Sequence, residues 1–351
     1  MEIATGGPRV SIVVVAYNSG PLLVDVARAA LRAEGELTTE VIIVNNGDHG
    51  PELDEVTEFG ATVVDAGGNV GFPAGCNLGV SKSVGEIVCL LNPDAVPRPG
   101  WLAPLVDALE DQHIGSVQSL ICLADRPDTI NTSGCVIHLT GSGWMGGFGD
   151  PVPSESLQRE IAYACGAAMA LRRDVFDRLG GFCEEYFLYH EDLELGWRIR
   201  SLGLTSVLVP ESKVDHHYDF SRNERKYFYI ERNRLLFLST CVPWQLLVLA
   251  APVLVAFELA VVGLSLREGW FRSYLAGRRW CWHRRTWTSE RRAVVSASRH
   301  VGWRELLRWM AAPLDPGMID PPPGIGVANR MLVAYWGVVA KVVRVSGQRV
   351  S

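Results

Sequence analysis

The apolar run EIVCLL at residues 86–91 predicts a buried strand, and the triplet NPD follows it directly, ending at Asp94. Open α/β sheets bind their ligands at the carboxyl ends of the strands. A carboxylate in that position can ligate a divalent cation that in turn holds a diphosphate. The same triplet also fits a simple turn, because asparagine, proline and aspartate are all common turn residues.

Three acids, Glu191, Asp192 and Glu194, fall within four residues at the predicted start of a helix. Acids in a first helical turn are stabilised by the helix dipole, and this alone would account for them. Asp192, however, is flanked by the apolar Tyr189 and Leu193, and a carboxylate at such an edge can act as a general base. The cluster therefore indicates either a charged helix start or a catalytic base.

Two adjacent histidines, His216 and His217, follow the strand-like run TSVLV at residues 205–209. Neutral imidazole binds divalent metals well, whereas many histidines are structural. The pair is therefore a candidate for a metal ligand, with a structural role as the alternative.

Two small-residue segments predict places where the backbone can approach a ligand. Residues 66–79, AGGNVGFPAGCNLG, contain five glycines and lead into a helix, so their N–H groups can face phosphate or ribose, or simply form a tight connection. Gly166, in the predicted strand 162–171, permits close approach of a ligand or of a packed helix. Residues 125–150, which include Trp144, predict an extended loop or hairpin over the site.

These candidate residues need a sheet that brings strand ends together, and the sequence predicts one. Continuous β-branched runs, typical of strands buried on both faces, alternate with segments of helical periodicity. The predicted order begins β-α-β-α-β, with strands at 10–16, 41–44 and 61–64 and helices at 22–33 and 52–59. Further predicted elements are strands at 86–91, 116–123 and 205–209 and helices at 101–109 and 172–179. The pattern predicts a doubly wound, mostly parallel α/β sheet.

Charge divides the chain into two parts. Residues 1–222 carry 14 Lys+Arg and 31 Asp+Glu, whereas residues 223–351 carry 19 and 8. The acidic front part is a poor surface for nucleic acid, so we expect no nucleic-acid partner. The basic back part also contains apolar runs and interleaved tryptophans, which favour an anionic membrane surface as a partner. We predict a catalytic domain at 1–240 and a helical, membrane-associating region at 241–351.

Residues 242–264 are apolar except for Gln245 and Glu258, and they are about long enough to span a bilayer. Pro252 and Glu258 favour instead a helix that lies in, or dips into, the cytoplasmic leaflet. A true span and a helix buried against the enzyme are the alternatives. The eight cysteines form no CxxC pair and residues 1–9 are short and polar, so we expect reduced thiols, no secretory signal and a place at the cytoplasmic face of the cell membrane.

Taken together, these residues resemble the inverting family-two glycosyltransferases of the GT-A fold, and among them the bacterial rhamnosyltransferase-like enzymes of cell-wall and surface-polysaccharide assembly. The resemblance covers about residues 10–238, roughly two thirds of the chain. It rests on seven segments in family order: SIVVVAYNS, VIIVNN, NVGFPAGCN, LLNPDA, LGGFCEEYFLYHEDLELGWRIRSLG, DHHYDFS and YIERNRLLFL.

The resemblance implies a role for each matching residue. Asp192 would be the general base, supported by Glu191. Asp94 and His216 would hold a divalent cation, Mg²⁺ or Mn²⁺, with His217 as the second choice for the histidine ligand. The donor-binding residues would be Ala16, Tyr17, Asn18, Asn45, Asn69, Gly71, Phe72, Asn77, Asn92 and Asp94.

Two positions depart from the family pattern. Asn45 stands where the family usually has an aspartate that contacts base or ribose, and an amide has donors that a carboxylate lacks, so the base preference is left open. Asn92 replaces the first acid of the DxD-type motif, as in much of this branch, so the metal would have one protein carboxylate and rely on the diphosphate. We also expect Gly166 and Trp144 to face the acceptor.

The implied reaction moves a sugar, with rhamnose as our expectation, from a nucleotide-diphosphate sugar to a hydroxyl of a glycan or lipid-linked acceptor. Asp192 would take the hydroxyl proton while the oxygen attacks the anomeric carbon, which needs no enzyme nucleophile. One alternative is a non-catalytic nucleotide-sugar-binding scaffold subunit of a glycan-assembly complex. A pyrophosphorylase with a similar sheet is a weaker one, because no GxGxR-type loop follows the first predicted strand.

Overall fold

The computed structural model describes residues 9–32, 37–47, 50–155, 157–218, 224–315, 317 and 324–343. In the first part of the chain the elements are β1 (Val10–Ala16), α1 (Leu22–Ala30), β2 (Thr39–Asn45), α2 (Glu52–Glu58), β3 (Thr62–Asp65), α3 (Phe72–Ser81), β4 (Ile87–Leu91), β5 (Ala95–Pro97), α4 (Leu102–Ala108) and β6 (Ile114–Leu123).

The middle of the chain adds shorter strands and two helices. These are β7 (Arg126–Thr132), β8 (Cys135–His138), β9 (Gly143–Met145), β10 (Arg159–Ile161), β11 (Ala168–Arg172), α5 (Arg173–Leu179), α6 (Glu191–Ser201) and β12 (Thr205–His216). The remainder is mostly helical: α7 (Glu224–Thr240), α8 (Trp244–Glu268), α9 (Phe271–His283), α10 (Arg285–Ala297), α11 (Trp303–Leu307), β13 (Met310–Ala311) and α12 (Ile325–Val342).

The main sheet has ten strands within the described residues, eight of them in the order β10-β12-β6-β11-β4-β1-β2-β3. β1 is parallel to both β2 and β4, and β12 is parallel to β6. β11 is antiparallel to both of its neighbours, β4 and β6. Every residue of β1 and β4 is buried, because the sheet is covered on both faces, and their side chains are apolar or small. The predicted doubly wound, mostly parallel sheet is confirmed.

The sheet brings the ends of three strands together. The last residue of β4, Leu91, is paired with the first residue of β11, Ala168. Just beyond this pair, the N–H of Asn92 donates to the carbonyl of Ala167 at 3.0 Å. The last residue of β12, His216, is paired with Ala95 of β5, which directly follows the NPD triplet. The candidate residues that follow β4 and β12 therefore meet at one edge.

The C-terminal helices share a core with the sheet domain. Trp197 of α6 packs edge-on against Phe237 of α7, with ring centroids 5.4 Å apart, and donates its indole N–H to the carbonyl of Cys241 at 3.2 Å. Arg291 of α10 pairs with the buried Glu194 of α6 at 2.9 Å. All eight cysteines are free and six of them are buried, as their apolar surroundings in the sequence predict.

Several predicted elements differ in extent from those observed. The predicted strand 162–171 is a strand only from Ala168, because the preceding residues turn toward the acids at the start of α6. The segment 125–150, predicted as an extended loop or hairpin, contains β7 and an antiparallel hairpin formed by β8 and β9. β12 continues seven residues past residue 209. The apolar spacing of residues 331–345 predicts a final helix, and α12 begins earlier, at Ile325. Residues 321–323 of a proline-rich segment that predicts a linker, and Arg344, lie outside the described residues.

Candidate active site

Asp94 and His216 lie side by side at the ends of β4 and β12. The Oδ1 atom of Asp94 is 3.2 Å from Nε2 of His216. The N–H of His217 donates to the backbone carbonyl of Asp94 at 2.9 Å, which ties the segment after β4 to the end of β12. His216 is 7% exposed, whereas the side chain of His217 is open to solvent. Of the two adjacent histidines, His216 is the one whose ring faces Asp94.

Hydrogen bonding fixes which ring nitrogen of His216 faces Asp94. The Nδ1 atom lies 3.1 Å from Oδ1 of Asn131, an oxygen that can only accept, so Nδ1 carries a proton. In the neutral ring Nε2 therefore presents a lone pair to Oδ1 of Asp94. That oxygen is buried and has no hydrogen-bond partner among the described residues. Two acceptors this close are stabilised by a cation, so their chemistry fits a divalent metal.

Asp192 stands at the start of α6, within reach of the loop that precedes β11. Its Oδ2 atom accepts the N–H of Gly166 at 3.3 Å. The next residue, Ala167, accepts the N–H of Asn92 at 3.0 Å. Two short links therefore connect Asp192 with the segment that carries Asp94. Gly166 was predicted as a point of close approach, and Asp192 and the ring of Phe72 lie next to it. A Cβ atom added at Gly166 would lie 3.3 Å from the Phe72 ring.

Burial raises the pKa of both Asp192 and Glu191 above the usual carboxyl range. In Asp192 the N–H groups of Gly166 and Leu193, the latter at 2.7 Å, oppose this rise because they stabilise the ionised form. The adjacent Asp192 raises the pKa of Glu191 further, and Oε2 of Glu191 has no hydrogen-bond partner in the described part of the chain. Asp192 is thus the member of the pair that ionises first.

A buried asparagine that the sequence did not single out holds the glycine-rich loop. Asn46 donates from Nδ2 to Oδ1 of Asn69 at 3.3 Å and accepts the N–H of Val70 at 2.8 Å. Asn46 is 3% exposed, and its only signal was its place beside Asn45 at the end of the predicted strand. Through Asn46, the loop that starts α3 is fixed to the end of β2.

The glycine-rich loop also contacts the segment that leads to the acids. The N–H of Phe72 donates to the carbonyl of Phe187 at 2.9 Å. Gly71 has a φ of 88°, and a Cβ there would lie 2.6 Å from the same carbonyl oxygen. Only glycine fits this contact, because both the backbone angle and the space exclude a side chain.

A cavity of about 690 Å³ opens beside this loop. It is lined by Tyr17, Asn69, Phe187, Leu188, Tyr189, Arg225, Lys226 and Tyr229. Tyr17 and Asn69 were predicted as donor-binding residues, whereas Arg225, Lys226 and Tyr229 come from α7 and were not. Aromatic walls with nearby cations suit a nucleotide, because rings stack on bases and cations attract phosphate.

Other predicted donor residues lie at the same strand ends. Ala16 is buried at the end of β1, where it is paired with Asn45 of β2. The Asn45 side chain accepts the N–H of Gly47 at 3.1 Å. Asn18 is exposed and has a φ of 52°, a left-handed conformation that asparagine tolerates better than most residues.

Asn77 and Trp144 lie within the packing around the site. The Asn77 amide donates to the carbonyl of Phe182 at 3.0 Å and to Oε1 of Glu184 at 2.9 Å, and its oxygen accepts the Phe182 N–H at 2.9 Å. Trp144 is 9% exposed and packs on His138 with ring centroids 5.4 Å apart. Asn77 thus fastens α3 to the segment before α6, while the donor and acceptor roles of these two residues stay predictions.

Part of the chain is similar to a known protein family. Residues 11–180 match the model of the family described as Glycosyl transferase family 2. The chain is 28% identical over 229 residues to O-antigen biosynthesis protein RfbC of Myxococcus xanthus, covering 62% of this chain and 18% of that protein. It is 28% identical over 234 residues to N-acetylglucosaminyl-diphospho-decaprenol L-rhamnosyltransferase of Mycobacterium tuberculosis, covering 59% of this chain and 75% of that protein.

The fold has its counterpart among solved structures. The crystal structure of GalNAc-T7 with UDP, GalNAc and Mn²⁺ superposes with a TM-score of 0.55 at 17% sequence identity, over 67% of this chain and 48% of that one. The similarity concerns the GT-A fold, because sequence identity at this level carries no residue roles.

Proposed function

The chain carries a glycosyltransferase family 2 domain with the GT-A fold, and from this premise we propose that it is an inverting, metal-dependent glycosyltransferase. We propose that it moves a sugar from a nucleotide-diphosphate donor to a hydroxyl of a glycan or lipid-linked acceptor in bacterial cell-wall or surface-polysaccharide assembly. The names of two relatives support this assignment, one an O-antigen biosynthesis protein and the other an L-rhamnosyltransferase. The second name favours rhamnose as the sugar transferred, and we propose dTDP as its carrier.

One observation carries the proposal: the candidate base and the candidate metal ligands converge on one sheet edge. Asp192 accepts a hydrogen bond from the N–H of Gly166. The neighbouring Ala167 accepts one from the N–H of Asn92, which lies two residues before Asp94. A donor that places its diphosphate at Asp94 would then present its sugar toward Asp192. Release of nucleoside diphosphate from such a donor is the direct test.

Asp94 and His216 would hold the divalent cation. Within the described residues no group of three or more His, Cys, Asp or Glu side chains is placed to bind a metal. Mg²⁺ and Mn²⁺ accept such a sparse protein set when phosphate oxygens and water complete the shell. When bound, the ion supplies positive charge that stabilises the departing diphosphate.

The proton and bond changes follow from the placement of Asp192. The acceptor hydroxyl gives its proton to Oδ2 or Oδ1 of Asp192 as its oxygen bonds to the anomeric carbon. The bond between that carbon and the diphosphate oxygen breaks at the same time, so the configuration inverts in one displacement. The N–H groups of Gly166 and Leu193 hold the carboxylate in place, and Glu191 lies behind it as the second acid. Base catalysis of this kind contributes about 10²–10⁴-fold.

We expect kcat/KM to fall on the acid side of neutrality. The base acts when it is ionised, and burial raises the pKa of Asp192 above the value of about 3.9 that aspartate has in peptides. Activity should therefore be lost as the pH falls through this raised pKa. The measurement is kcat/KM against pH with metal and donor concentrations controlled at each point. A profile that stays flat from pH 7 down to about 4.5 would contradict an elevated pKa at the base.

We further propose that residues 241–351 attach the 1–240 catalytic domain to the cytoplasmic face of an anionic membrane. By length and composition, α8 and α12 are the described helices that could cross a membrane, with mean hydropathies of 2.5 and 1.2. In α8, one face is exposed and apolar, with Trp244, Val248, Val255, Leu259 and Leu266 at spacings of four and seven residues. Exposed arginines at 272, 279, 284 and 285 flank the exposed Trp282, as at lipid headgroups.

α8 also makes polar contacts with the neighbouring helices, which favour a helix lying on the membrane over one that spans it. Glu258 of α8 forms ion pairs with the fully buried Arg234 of α7 and with Arg278 of α9. Tyr274 of α9 donates to the same carboxylate at 3.2 Å. A helix that spanned the bilayer freely would leave this carboxylate without its partners, at a cost of several kcal/mol.

We expect Val255→Glu combined with Leu259→Glu to lower binding to phosphatidylglycerol vesicles more than about tenfold, because each side chain would lose about 1.5 kcal/mol or more of apolar burial. Vesicle sedimentation measures the bound fraction. Val84→Glu is the matched control, since Val84 is 67% exposed on the sheet domain. Equal binding of the double variant and the control would contradict this orientation of α8.

A further inference from the structure

The turn that delivers Asp192 to the site has an unfavourable backbone. Phe187, Tyr189 and His190 have φ values of 61°, 68° and 68°, so three of the four residues before α6 lie on the left-handed side. Non-glycine residues rarely adopt such angles, and bulky ones do so when their surroundings impose it. Glu191 and Asp192 follow immediately.

Two buried side chains of α7, Asn233 and Arg232, donate hydrogen bonds to the backbone carbonyls of this turn. Asn233 donates from Nδ2 to the carbonyls of Tyr186 at 3.0 Å, Leu188 at 2.8 Å and Tyr189 at 2.6 Å. Three carbonyl oxygens thus converge on one amide nitrogen, which has two hydrogens to share among them. Asn233 is itself fully buried.

Arg232 supplies the second half of the contact. Its Nη2 atom donates to the carbonyls of Glu185 at 2.8 Å and Tyr186 at 2.5 Å. Arg234, by contrast, pairs with Glu231 and Glu258 and donates to the carbonyl of Thr140 at 3.2 Å. Arg232 and Asn233 therefore bind the backbone of the acidic front part of the chain.

The turn also contacts the glycine-rich loop and forms part of the cavity wall. The Phe187 carbonyl accepts the N–H of Phe72, and the Phe187 ring stacks on Tyr229 with centroids 5.2 Å apart. Phe187, Leu188 and Tyr189 all line the cavity. The turn is therefore shared by the glycine-rich loop and by the candidate base.

We propose that Asn233 and Arg232 are positioning residues, which fix the 186–190 turn so that Asp192 meets the acceptor at the bound donor. This inference rests on the proposed function. Neither side chain is among those that line the cavity, and both donate to the backbone of the turn. The Arg232 guanidinium carbon also lies 4.8 Å from the ring centroid of Tyr229, which supports the cavity wall. Arg232 is itself packed against Trp280 of α9, with its guanidinium carbon 4.6 Å from the ring centroid, so α9 supports the site from behind.

The test uses the full chain in detergent and compares Asn233→Ala and Arg232→Lys with the control Leu246→Ala. Asn233→Ala removes the donors to three carbonyls. Arg232→Lys keeps the charge and removes the forked guanidinium. Leu246 is fully buried on α8 in the shared core, so Leu246→Ala reports what lost stability alone does. The readouts are kcat, nucleotide affinity, the acidic limb of the pH profile and the thermal unfolding midpoint.

We expect Asn233→Ala and Arg232→Lys to lower kcat by about 10-fold or more and to move the acidic limb, because misplacing a catalytic group by about 1 Å can cost about 10²-fold. Nucleotide affinity should change less than kcat. Leu246→Ala should lower the unfolding midpoint and leave kcat and the pH profile near those of the wild type. If Asn233→Ala does not fold, Arg232→Lys carries the comparison.

Two results would overturn the inference. One is a kcat within about threefold of wild type in a folded Asn233→Ala or Arg232→Lys variant, well short of the loss expected from a misplaced base. The other is a Leu246→Ala variant with the same loss of kcat and the same shifted limb. An inactive wild type, or an active Asp192→Asn variant, would instead reject the proposed function and is recognised separately.

Discussion

Asp192→Asn is expected to abolish sugar transfer while leaving nucleotide binding intact. The amide keeps the shape of the side chain but cannot accept the proton of the acceptor hydroxyl, so the loss should reach about 10²–10⁴-fold in kcat. Nucleotide binding should persist, because Asp192 neither lines the cavity nor belongs to the Asp94–His216 pair. Turnover assays and calorimetric titration of the same sample measure the two quantities.

Asp107→Asn is the matched control for this variant, because Asp107 is an exposed acid on α4. It undergoes the same change of one carboxylate to an amide and should retain wild-type turnover. An Asp192→Asn variant that keeps more than about a tenth of wild-type activity would show that another group is the base.

Asp94→Asn is expected to remove the metal-dependent part of nucleotide binding and to lower kcat/KM by about 10²-fold or more. The carboxylate supplies the charge that attracts the cation, and charge stabilisation of a departing diphosphate by a metal is worth several kcal/mol. An amide oxygen remains in its place but carries no charge. Titration of nucleotide with and without Mn²⁺ separates the metal-dependent part from the rest.

The two histidines provide an internal comparison for the same site. His216→Ala should weaken the Mn²⁺ effect about 10-fold or more, whereas His217→Ala should preserve it, because only the His216 ring faces Asp94. Asp125→Asn, an exposed acid with 75% of its side chain accessible, is the control for Asp94→Asn. Undiminished Mn²⁺ dependence in Asp94→Asn, or a larger loss in His217→Ala than in His216→Ala, would contradict this metal site.

The central strands could be predicted because burial restricts the residue types at every position along them. β1 and β4 are covered on both faces, so every position is apolar or small, and their bounds came within one residue. The helices between them end where side-chain periodicity ends, and α1 stops at Ala30, three residues before the predicted bound. Helix ends are set by local hydrogen bonds that a periodic pattern does not encode.

The segment before β11 could not be predicted from its composition. Small residues predominate from Ala162 to Ala170, with Tyr163 and Met169 between them, so nothing marks the change from loop to strand. In the structure the change from loop to strand is imposed by hydrogen bonds to residues distant in sequence, because Gly166 donates to Asp192 and Ala167 accepts from Asn92. Similarly, β7 forms by pairing with β6, and β8 pairs with β9. The composition of a glycine-rich stretch does not predict which strands will pair.

The reacting groups of the candidate site were visible in the sequence, but the residues that orient them were not. Asp94, Asp192 and His216 each follow a strand or open a helix, which is a recognisable position. Asn131 orients His216 and lies 85 residues away from it, in a segment predicted only as an extended loop or hairpin. A left-handed turn built on phenylalanine, tyrosine and histidine carries no turn signal at all, because its conformation is imposed by α7.

Release of nucleoside diphosphate tests the central claim most directly. The full chain in detergent would be incubated with dTDP-rhamnose, UDP-galactofuranose and UDP-glucose, each with Mn²⁺ or with chelator, alongside Asp192→Asn. Metal-dependent release from one donor, absent in Asp192→Asn, is the expected result, with dTDP-rhamnose as the expected donor. No release from any donor by a folded wild type that still binds nucleotide would contradict catalysis and favour a nucleotide-sugar-binding scaffold subunit.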